Sequence, residues 1–366
     1  MALRIASFNL ENLFTRPAAM AEDSGPEGQQ AIDDHAELNA IIAKLAYSPA
    51  DKQRLLELER RYHFADSNTP AKALLVLNTL RERLYSKSHS GEVSVVAAGR
   101  MSWTGWFELP HTNIEWRATH NTARVIAEVN PDILICVEAE DRITLKRFNE
   151  QLLAAQFERG FPHVMLVDGN DERGIDVGIL SRHPISGVRS HIDDRNPNGQ
   201  RTFSRDCAEY VIELSGGRRL VILANHFKSK RGGNDHTAQA KRLAQATRAH
   251  EIATQALAIS PLVLLAGDLN DTPDSAQLAP LWHDGFHDVQ THPSYPTDRP
   301  GTFDNGAAAN KIDYLIMSPS LQPLLRRVGI ERRGTYHPHL WEPFDSVKSA
   351  ADNASDHHLV WADFEI

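Results

Sequence analysis

Cysteine is nearly missing from this chain: Cys136 and Cys207 are the two among 366 residues, and both sit in apolar, strand-like runs. Two thiols make no disulfide framework, and the pair reads as small core residues. An excess of positive charge is missing as well. Lys and Arg total 39 against 48 Asp and Glu, a net charge of -9. A protein that grips duplex DNA through broad phosphate contacts is usually basic, so any nucleic-acid contact here has to be local. Long hydrophobic runs are missing too. No segment approaches a membrane span, and the opening "MALRIASFNLENLF" has neither a long apolar stretch nor a small-residue cleavage site. It reads as a strand, and the expectation is a cytoplasmic protein without a membrane partner. What remains is ordinary globular composition, 41% apolar and 24% charged, with no internal repeat or low-complexity linker.

The pattern along the chain alternates strands and helices. "LRIASFNL" suits a strand with a polar tip. From Thr15 to about His111 the character turns helical: "AIDDHAELNAIIAKLAY", "PADKQRLLELERRYHF" and "AKALLVLNTLRERLYS" carry Leu, Ile and Ala at three- and four-residue spacing. This predicts a helical insertion over about 15–115 in one catalytic domain spanning 1–366. "NTARVIAEVNP" reads as a helix stopped at Asn130-Pro131. "DILICVE", "HVMLV", "DVGILSR", "PLVLLAGD", "KIDYLIMS" and "HHLVWADF" read as strands, and a helix is expected from after Glu138 to about Ala155. Two apolar runs around Gly216-Gly217 predict a hairpin. "TAQAKRLAQATRAHEIATQALA" predicts a long helix with Leu243, Ala246, Ala249, Ala253 and Ala256 on one face.

One feature recurs. An apolar strand meets a polar group at Asn9, at Glu138, at His226, at Asp268 with Asn270, and at Asp313, while Asp356-His357 directly precedes a strand. Strand ends hold side chains in fixed mutual positions. Carboxylates and amide oxygens with few cysteines suit Mg²⁺ or Mn²⁺ rather than structural zinc. The chemistry that fits is metal-assisted transfer of a phosphoryl group to water.

These motifs, "FNLENL", "DILICVEAE", "DVGILSRHPI", "ANHFKSK", "AGDLND", "KIDYLIM" and "SDHHLVWADF", occur in the order found in the endonuclease/exonuclease/phosphatase superfamily, which the chain resembles. The resemblance covers Met1 to Phe14 and about Thr119 to Ile366. Val137 stands where many members have glutamine. The resemblance implies a four-layer α-β-β-α sandwich, two packed mixed β-sheets with helices outside, and an active site at one rim. It implies a metal-dependent phosphoric-ester hydrolase, a phosphodiesterase whose leading substrate is DNA or RNA. A small-molecule or phospholipid head-group substrate is the alternative, and the acidic net charge favours it. The implied metal ligands are Asn9 and Glu138, completed by Asp356 or Asp268. Asp268 would orient and deprotonate the attacking water. In an extended segment Asn270 would share its face and offer its amide to a phosphate oxygen, whereas Asp271 reads as a turn residue before Thr272-Pro273. His357 would stabilise charge on the phosphate. His226 would touch the phosphate or protonate the leaving oxygen, or else be a buried, hydrogen-bonded histidine. Asp313 would pair with one of these two histidines and hold its tautomer. Asn225 is either a substrate contact or structural, and His358 is expected to face elsewhere.

Basic residues complete the reading. Lys228, Lys230 and Arg231 follow His226 directly, and the first two are candidates for binding substrate phosphates. Arg173 is a phosphate contact or half of a surface ion pair. Lys241, Gln245 and Arg248 are spaced to share a helix face, either a cationic rim or a solvated surface. Trp103, Trp106 and Trp116 fall in one short span and would either stack on bases or anchor the insertion. The protein is expected to act as a monomer.

Overall fold

The computed structural model describes residues 2–13, 19, 25–66, 73–88, 90–110, 116–171, 174–230 and 235–366. The chain forms two compact units, one made of Met1–Phe14 with Glu115–Ile366 and the other of Thr15–Ile114. No helix among the described residues is long and apolar enough to cross a membrane.

The larger unit opens with β1 (Ala2–Leu13). The smaller unit then contributes α1 (Gly25–Ile42), α2 (Pro49–Tyr62), β2 (Val76–Arg81), β3 (Tyr85–Lys87), β4 (Val93–Val95) and β5 (Thr104–Glu108). The capping box of Ser48 and Asp51 starts α2, and left-handed His63 stops it. The third helix expected here, over "AKALLVLNTLRERLYS", is instead strand β2, paired antiparallel with β5 from Val76↔Glu108 to Arg81↔Thr104. A short apolar run satisfies either period, and a partner almost thirty residues away decided for the strand. Trp103 lies in this unit's own apolar core with Leu38, Leu55 and Phe107, its indole N–H donating to Tyr47 Oη at 2.8 Å. Trp106 is exposed, and the Trp116 side chain lies outside the described residues.

The larger unit resumes with α3 (Trp116–Val129), β6 (Ile133–Ala139), α4 (Arg142–Phe148), β7 (His163–Val167), β8 (Asp176–Ser181), β9 (Ile185–Arg189), β10 (Cys207–Glu213), β11 (Arg219–His226), α5 (His236–Ala256), β12 (Val263–Asp268), β13 (His287–Asp288), β14 (Asp313–Met317), β15 (Leu325–Glu331) and β16 (Leu359–Glu365). Two six-stranded sheets result, ordered β15-β16-β1-β6-β8-β7 and β13-β14-β12-β11-β10-β9. Both are mixed. β1 runs parallel to β6 and β11 to β12, while the other pairings are antiparallel. The expected hairpin is β10–β11, turning through Gly216 and Gly217 at positive φ.

Strand alternation then builds the layers. Leu3, Ile5, Ile133, Ile135, Ile222, Ala224, Leu264, Ala266 and Leu315 fill the space between the sheets. Alternate residues such as Ala6, Phe8 and Leu134 pack outward with Val125, Ile126 and Phe148 of α3 and α4, and Val221, Leu223 and Leu265 with Ala246, Ala249 and Ile252 of α5. The expected four-layer sandwich is the observed fold. Cys136 and Cys207 are free thiols buried in it.

The stripe that α5 buries holds four of the expected residues, Ala246, Ala249, Ala253 and Ala256, but not Leu243. Leu243 is 43% exposed, and the buried positions are Ala238, Arg242, Gln245, Ala246, Ala249, Ile252, Ala253 and Ala256. Their spacing follows the helical period faithfully, but two are polar, so a count of apolar residues misses the register. Nor do Lys241, Gln245 and Arg248 form one solvated or cationic face. Gln245 is fully buried, and Arg248 is committed to Asp194 at 2.7 Å and Glu251 at 2.8 Å.

Candidate active site

The inner faces of the two sheets are apolar until the strands reach one rim, where the same alternation delivers polar side chains. Ile5 and Ser7 are followed by Asn9, Ile222 and Ala224 by His226, Leu264 and Ala266 by Asp268, and Met317 and Leu315 lead back to Asp313. Ser7, Ala224 and Ala266 lie beneath Asn9, His226 and Asp268, so the site is the open end of the core. Glu138 breaks the alternation. Both pairings of β6 shift register beside it and its φ is 61°, a bulge that turns the side chain toward Asn9 while Val137 faces inward and Ala139 outward.

The rim residues meet around Asn9. Its Nδ2 lies 3.3 Å from both Glu138 Oε1 and Asp268 Oδ2 and 3.4 Å from His357 Nε2, and its Oδ1 accepts from Glu11 N at 3.0 Å. His226 Nε2 lies 3.6 Å from Asp268 Oδ2 and 3.8 Å from Glu138 Oε1. His357 Nδ1 is 2.9 Å from Asp313 Oδ2, which settles Asp313's partner as His357. Thr302 Oγ1 donates to the same carboxylate oxygen at 2.6 Å. Ser355 Oγ donates to Asn9 O at 2.8 Å and accepts from His357 N at 3.0 Å, joining β1 to the segment before β16. His358 turns away, toward Asp304 O at 3.0 Å.

Asp268 ends β12 in a turn rather than an extended tail. Gly267 has φ 132°, and a Cβ there would collide with the Asn225 carbonyl oxygen, which crosses directly against it. Asn270 has φ 54°, a left-handed value that asparagine tolerates. Its main-chain N–H donates to Asp268 Oδ1 at 2.8 Å, and its Nδ2 donates to Asp268 Oδ2 at 3.0 Å and Phe227 O at 3.3 Å. Asn270 therefore adjoins Asp268 by folding back on it, not by sharing a pleat. Asp271 is in the turn, as expected, but it is buried and ion-paired to Arg242 at 2.9 Å and Lys230 at 2.6 Å.

Burial and neighbouring charge set the protonation of the pair of acids and the imidazole. Burial, then the Asp313 carboxylate, pushes Asp268 up to about 7, with the His357 imidazole opposing and Glu138 adding to the rise. Burial pulls His357 down, but the carboxylates of Asp313, Asp356 and Asp268 outweigh it and hold the imidazole well above its ordinary value. Oxygens of Glu138 and Asp268 converge on one amide, with a third carboxylate, Asp313, close behind. Such a set of hard donors, rich in negative charge, fits a divalent cation of the Mg²⁺ or Mn²⁺ kind. Ligand atoms of Asp268, Asp313 and His357 also lie within 4.8 Å of one another and could hold a metal ion. Asp356 is half-exposed at the edge, its Oδ1 3.8 Å from His357 Nε2.

The remaining candidates divide. Asn225 is fully buried on the face of β11 opposite His226, its Nδ2 on Leu223 O at 3.0 Å, so alternation turns its side chain away from His226. Lys228 is half-buried just past His226, and Lys230 reaches Asp271. Burial, then the cations of Arg205 and Lys228, lowers Lys241, and Arg205 is itself buried and ion-paired to Asp171 at 2.8 Å. Arg173 and Arg231 lie outside the described residues. Asp176, opposite Ala139 in the sheet, is buried and accepts from Gly169 N at 2.8 Å. Thr302, Ser355, Arg205 and Arg242 were not expected at the site, and Gln245, expected on a rim or solvated helix face, is instead buried. Ser355 had a signal in its position directly before Asp356-His357, and Arg242 and Gln245 had one in the helical period.

No curated protein sequence matches the chain. Among solved structures, an endonuclease/exonuclease/phosphatase family protein from Bacteroides thetaiotaomicron aligns over 100% of this chain and 99% of its own, at 13% identity and a TM-score of 0.52, a likeness of fold. Truncated TDP2 from Caenorhabditis elegans covers 68% of this chain and 89% of its own at 19% identity and a TM-score of 0.47. An endonuclease/exonuclease/phosphatase from Beutenbergia cavernae covers 67% and 65% at 17% identity and a TM-score of 0.47. The model of the Endonuclease/Exonuclease/phosphatase family matches residues 112–357, two thirds of the chain and nearly all of the rim. With its motifs in family order and its polar strand ends gathered at one rim, the chain belongs to the endonuclease/exonuclease/phosphatase family of hydrolytic phosphoesterases.

Proposed function

We propose that the protein is a Mg²⁺- or Mn²⁺-dependent phosphodiesterase, with nucleic acid as its leading substrate. The observation that carries this reading is the convergence of Glu138, Asp268, His226 and the Asp313–His357 pair, from separate strands, around the Asn9 amide. Asn9 and Glu138, with Asp268 or Asp356, would hold the metal, which supplies charge neutralisation at a phosphoryl oxygen. The Asp268 carboxylate orients a water and accepts its proton as the new O–P bond forms. Protonated His357, its tautomer held by Asp313, donates Nε2–H to the phosphoryl oxygen on which charge builds. His226 protonates the leaving ester oxygen as its P–O bond breaks. Asn270 steadies Asp268 and offers its amide to the phosphate. Lys228, Lys230 and Arg173 take up neighbouring phosphates. The chemistry belongs to the larger unit, and the segment 15–115 is an addition to one catalytic domain.

Lys228 and Lys230, directly past His226, favour a substrate with phosphates beyond the scissile one, as a polynucleotide has. The net charge of -9 favours the second reading, a small phosphodiester or phospholipid head group. A panel of single-stranded DNA, duplex DNA, RNA, glycerophosphodiesters and a phosphomonoester decides between them. Turnover of a polynucleotide at the highest kcat/KM supports the first reading, and turnover confined to the monoester overturns both.

A further inference from the structure

A fully buried arginine is stable only with fixed partners. Arg242 in α5 has them in two directions: Nε donates to Asp271 Oδ2 at 2.9 Å and Nη1 to Lys228 O at 3.2 Å. Gln245, one turn further and equally buried, accepts from Lys228 N at 2.8 Å. Both main-chain polar groups of Lys228 are thereby held from α5. Lys228 is two residues beyond His226, and Asp271 directly follows Asn270. Asp271 is fixed again by Lys230 at 2.6 Å and by Tyr314 Oη, which donates to its main-chain oxygen at 2.7 Å. The two chain segments also bond directly, Phe227 N to Asp268 O at 2.9 Å and Asn270 Nδ2 to Phe227 O at 3.3 Å.

We propose that Arg242 is a positioning residue of the hydrolytic site, with Gln245 as its second anchor. Its planar guanidinium spans the segments leaving β11 and β12 and so sets the spacing of His226 against Asp268 and Asn270. It also aims the Lys228–Lys230 segment along the rim. A lysine has one nitrogen at the end of its chain and cannot take up both directions at once. The kinetic part of this inference rests on the phosphodiesterase reading, and the spectroscopic part does not.

The test uses the whole protein with Arg242→Met, Arg242→Lys and Gln245→Met, and Ala253→Gly as a control that weakens the same helix away from the site. Two quantities are read: kcat and KM on an aryl phosphodiester with saturating Mn²⁺, and the ¹H–¹⁵N imidazole cross-peaks of His226 in metal-free protein. Arg242→Met is expected to lower kcat about 10- to 100-fold with KM within about threefold, the scale of a slight misplacement of reacting groups. It is expected to move the His226 cross-peaks. Arg242→Lys recovers part of both, Gln245→Met shows a smaller version of each, and Ala253→Gly alters neither at a comparable loss of melting temperature. A folded Arg242→Met protein with wild-type kcat and wild-type His226 cross-peaks overturns the proposal. Should Arg242→Met fail to fold, Arg242→Lys and Gln245→Met are held to the same two readouts. If the wild type turns over no phosphodiester, the functional reading fails, and the cross-peaks alone decide the role of Arg242.

Discussion

Asp313 Oδ2 and His357 Nδ1 face each other across 2.9 Å, both side chains buried, with Thr302 Oγ1 closing on the same carboxylate oxygen. The pair fixes one imidazole tautomer and leaves Nε2 toward Asn9 and Asp268. Asp313→Asn keeps the shape and removes the charge that holds His357 protonated. We expect kcat on a phosphodiester to fall about 10²- to 10⁴-fold with little change in KM, the range seen when an acid–base group or its orienting carboxylate is lost. Steady-state kinetics with saturating metal measure it, and a fall confined to KM would remove the pair from the chemical step.

Gly267 of β12 pairs with Asn225 of β11 at the site, with no room between them for a side chain. Gly267→Ala introduces a Cβ against the Asn225 carbonyl oxygen at φ 132°. The expected loss is about 2 kcal/mol or more, the size associated with strain at a special backbone position. In a unit of this size that is a drop of roughly 4–8 °C in melting temperature. Differential scanning calorimetry reads it, and an unchanged melting temperature contradicts the close approach.

Asp176 gives a pH signature separate from catalysis. Burial, reinforced by Asp168 and Asp171, raises its carboxyl to about 7 against the Gly169 N–H that favours the charged form. Because the folded value lies above the unfolded one, the native state binds the extra proton at intermediate pH. Stability therefore falls as pH rises from near 4 to near 7 and is lowest above that window. Asp176→Asn removes the dependence. Its stability relative to wild type should rise by about 2 kcal/mol between pH 4 and pH 8, measured by urea denaturation, after allowance for partial hydration of the carboxylate. A difference that stays flat with pH would show that Asp176 is ionised in the native state throughout.

The basic segment after His226 predicts a salt effect. Lys228→Ala with Lys230→Ala should weaken polynucleotide turnover and lessen the slope of log(kcat/KM) against log[salt] by about 1–2. The salt dependence for a small aryl ester should stay as in the wild type. An unchanged slope on polynucleotide returns both lysines to structural roles, Lys230 as partner of Asp271 and Lys228 as the residue clamped by α5.

The rim was legible in the sequence because each contributing strand carries its own signal, an apolar run bounded by a polar residue: Asn9, Glu138, His226 and Asp268 at the end, Asp313 at the start. The sandwich was expected from the resemblance that the ordered motifs carry to the family, and the structure bears it out. What escaped was settled by contacts distant in sequence. The strand at Val76–Arg81 needed its partner β5, and local spacing suited a helix equally well. Asn225 and His226 are neighbours in sequence but lie on opposite faces of β11, and the motif alone does not say which faces the site. The back-folded turn at Asn270 depends on a left-handed residue that "DLND" does not announce. Arg242 and Gln245 were hidden by their polarity, since the buried stripe of α5 runs through them only when position, not hydrophobicity, is followed.

The central claim is that Glu138 and Asp268 serve a metal-dependent attack on a phosphodiester. Its most direct test is the hydrolysis rate of an aryl phosphodiester across a Mn²⁺ and Mg²⁺ titration, for wild type and Glu138→Ala. The wild type should be inactive after chelation, regain activity with either ion, and lose at least about 10³-fold in the variant at any metal concentration, on the scale of removing a group central to transition-state charge stabilisation. Hydrolysis that survives chelation, or that persists in Glu138→Ala, would contradict it.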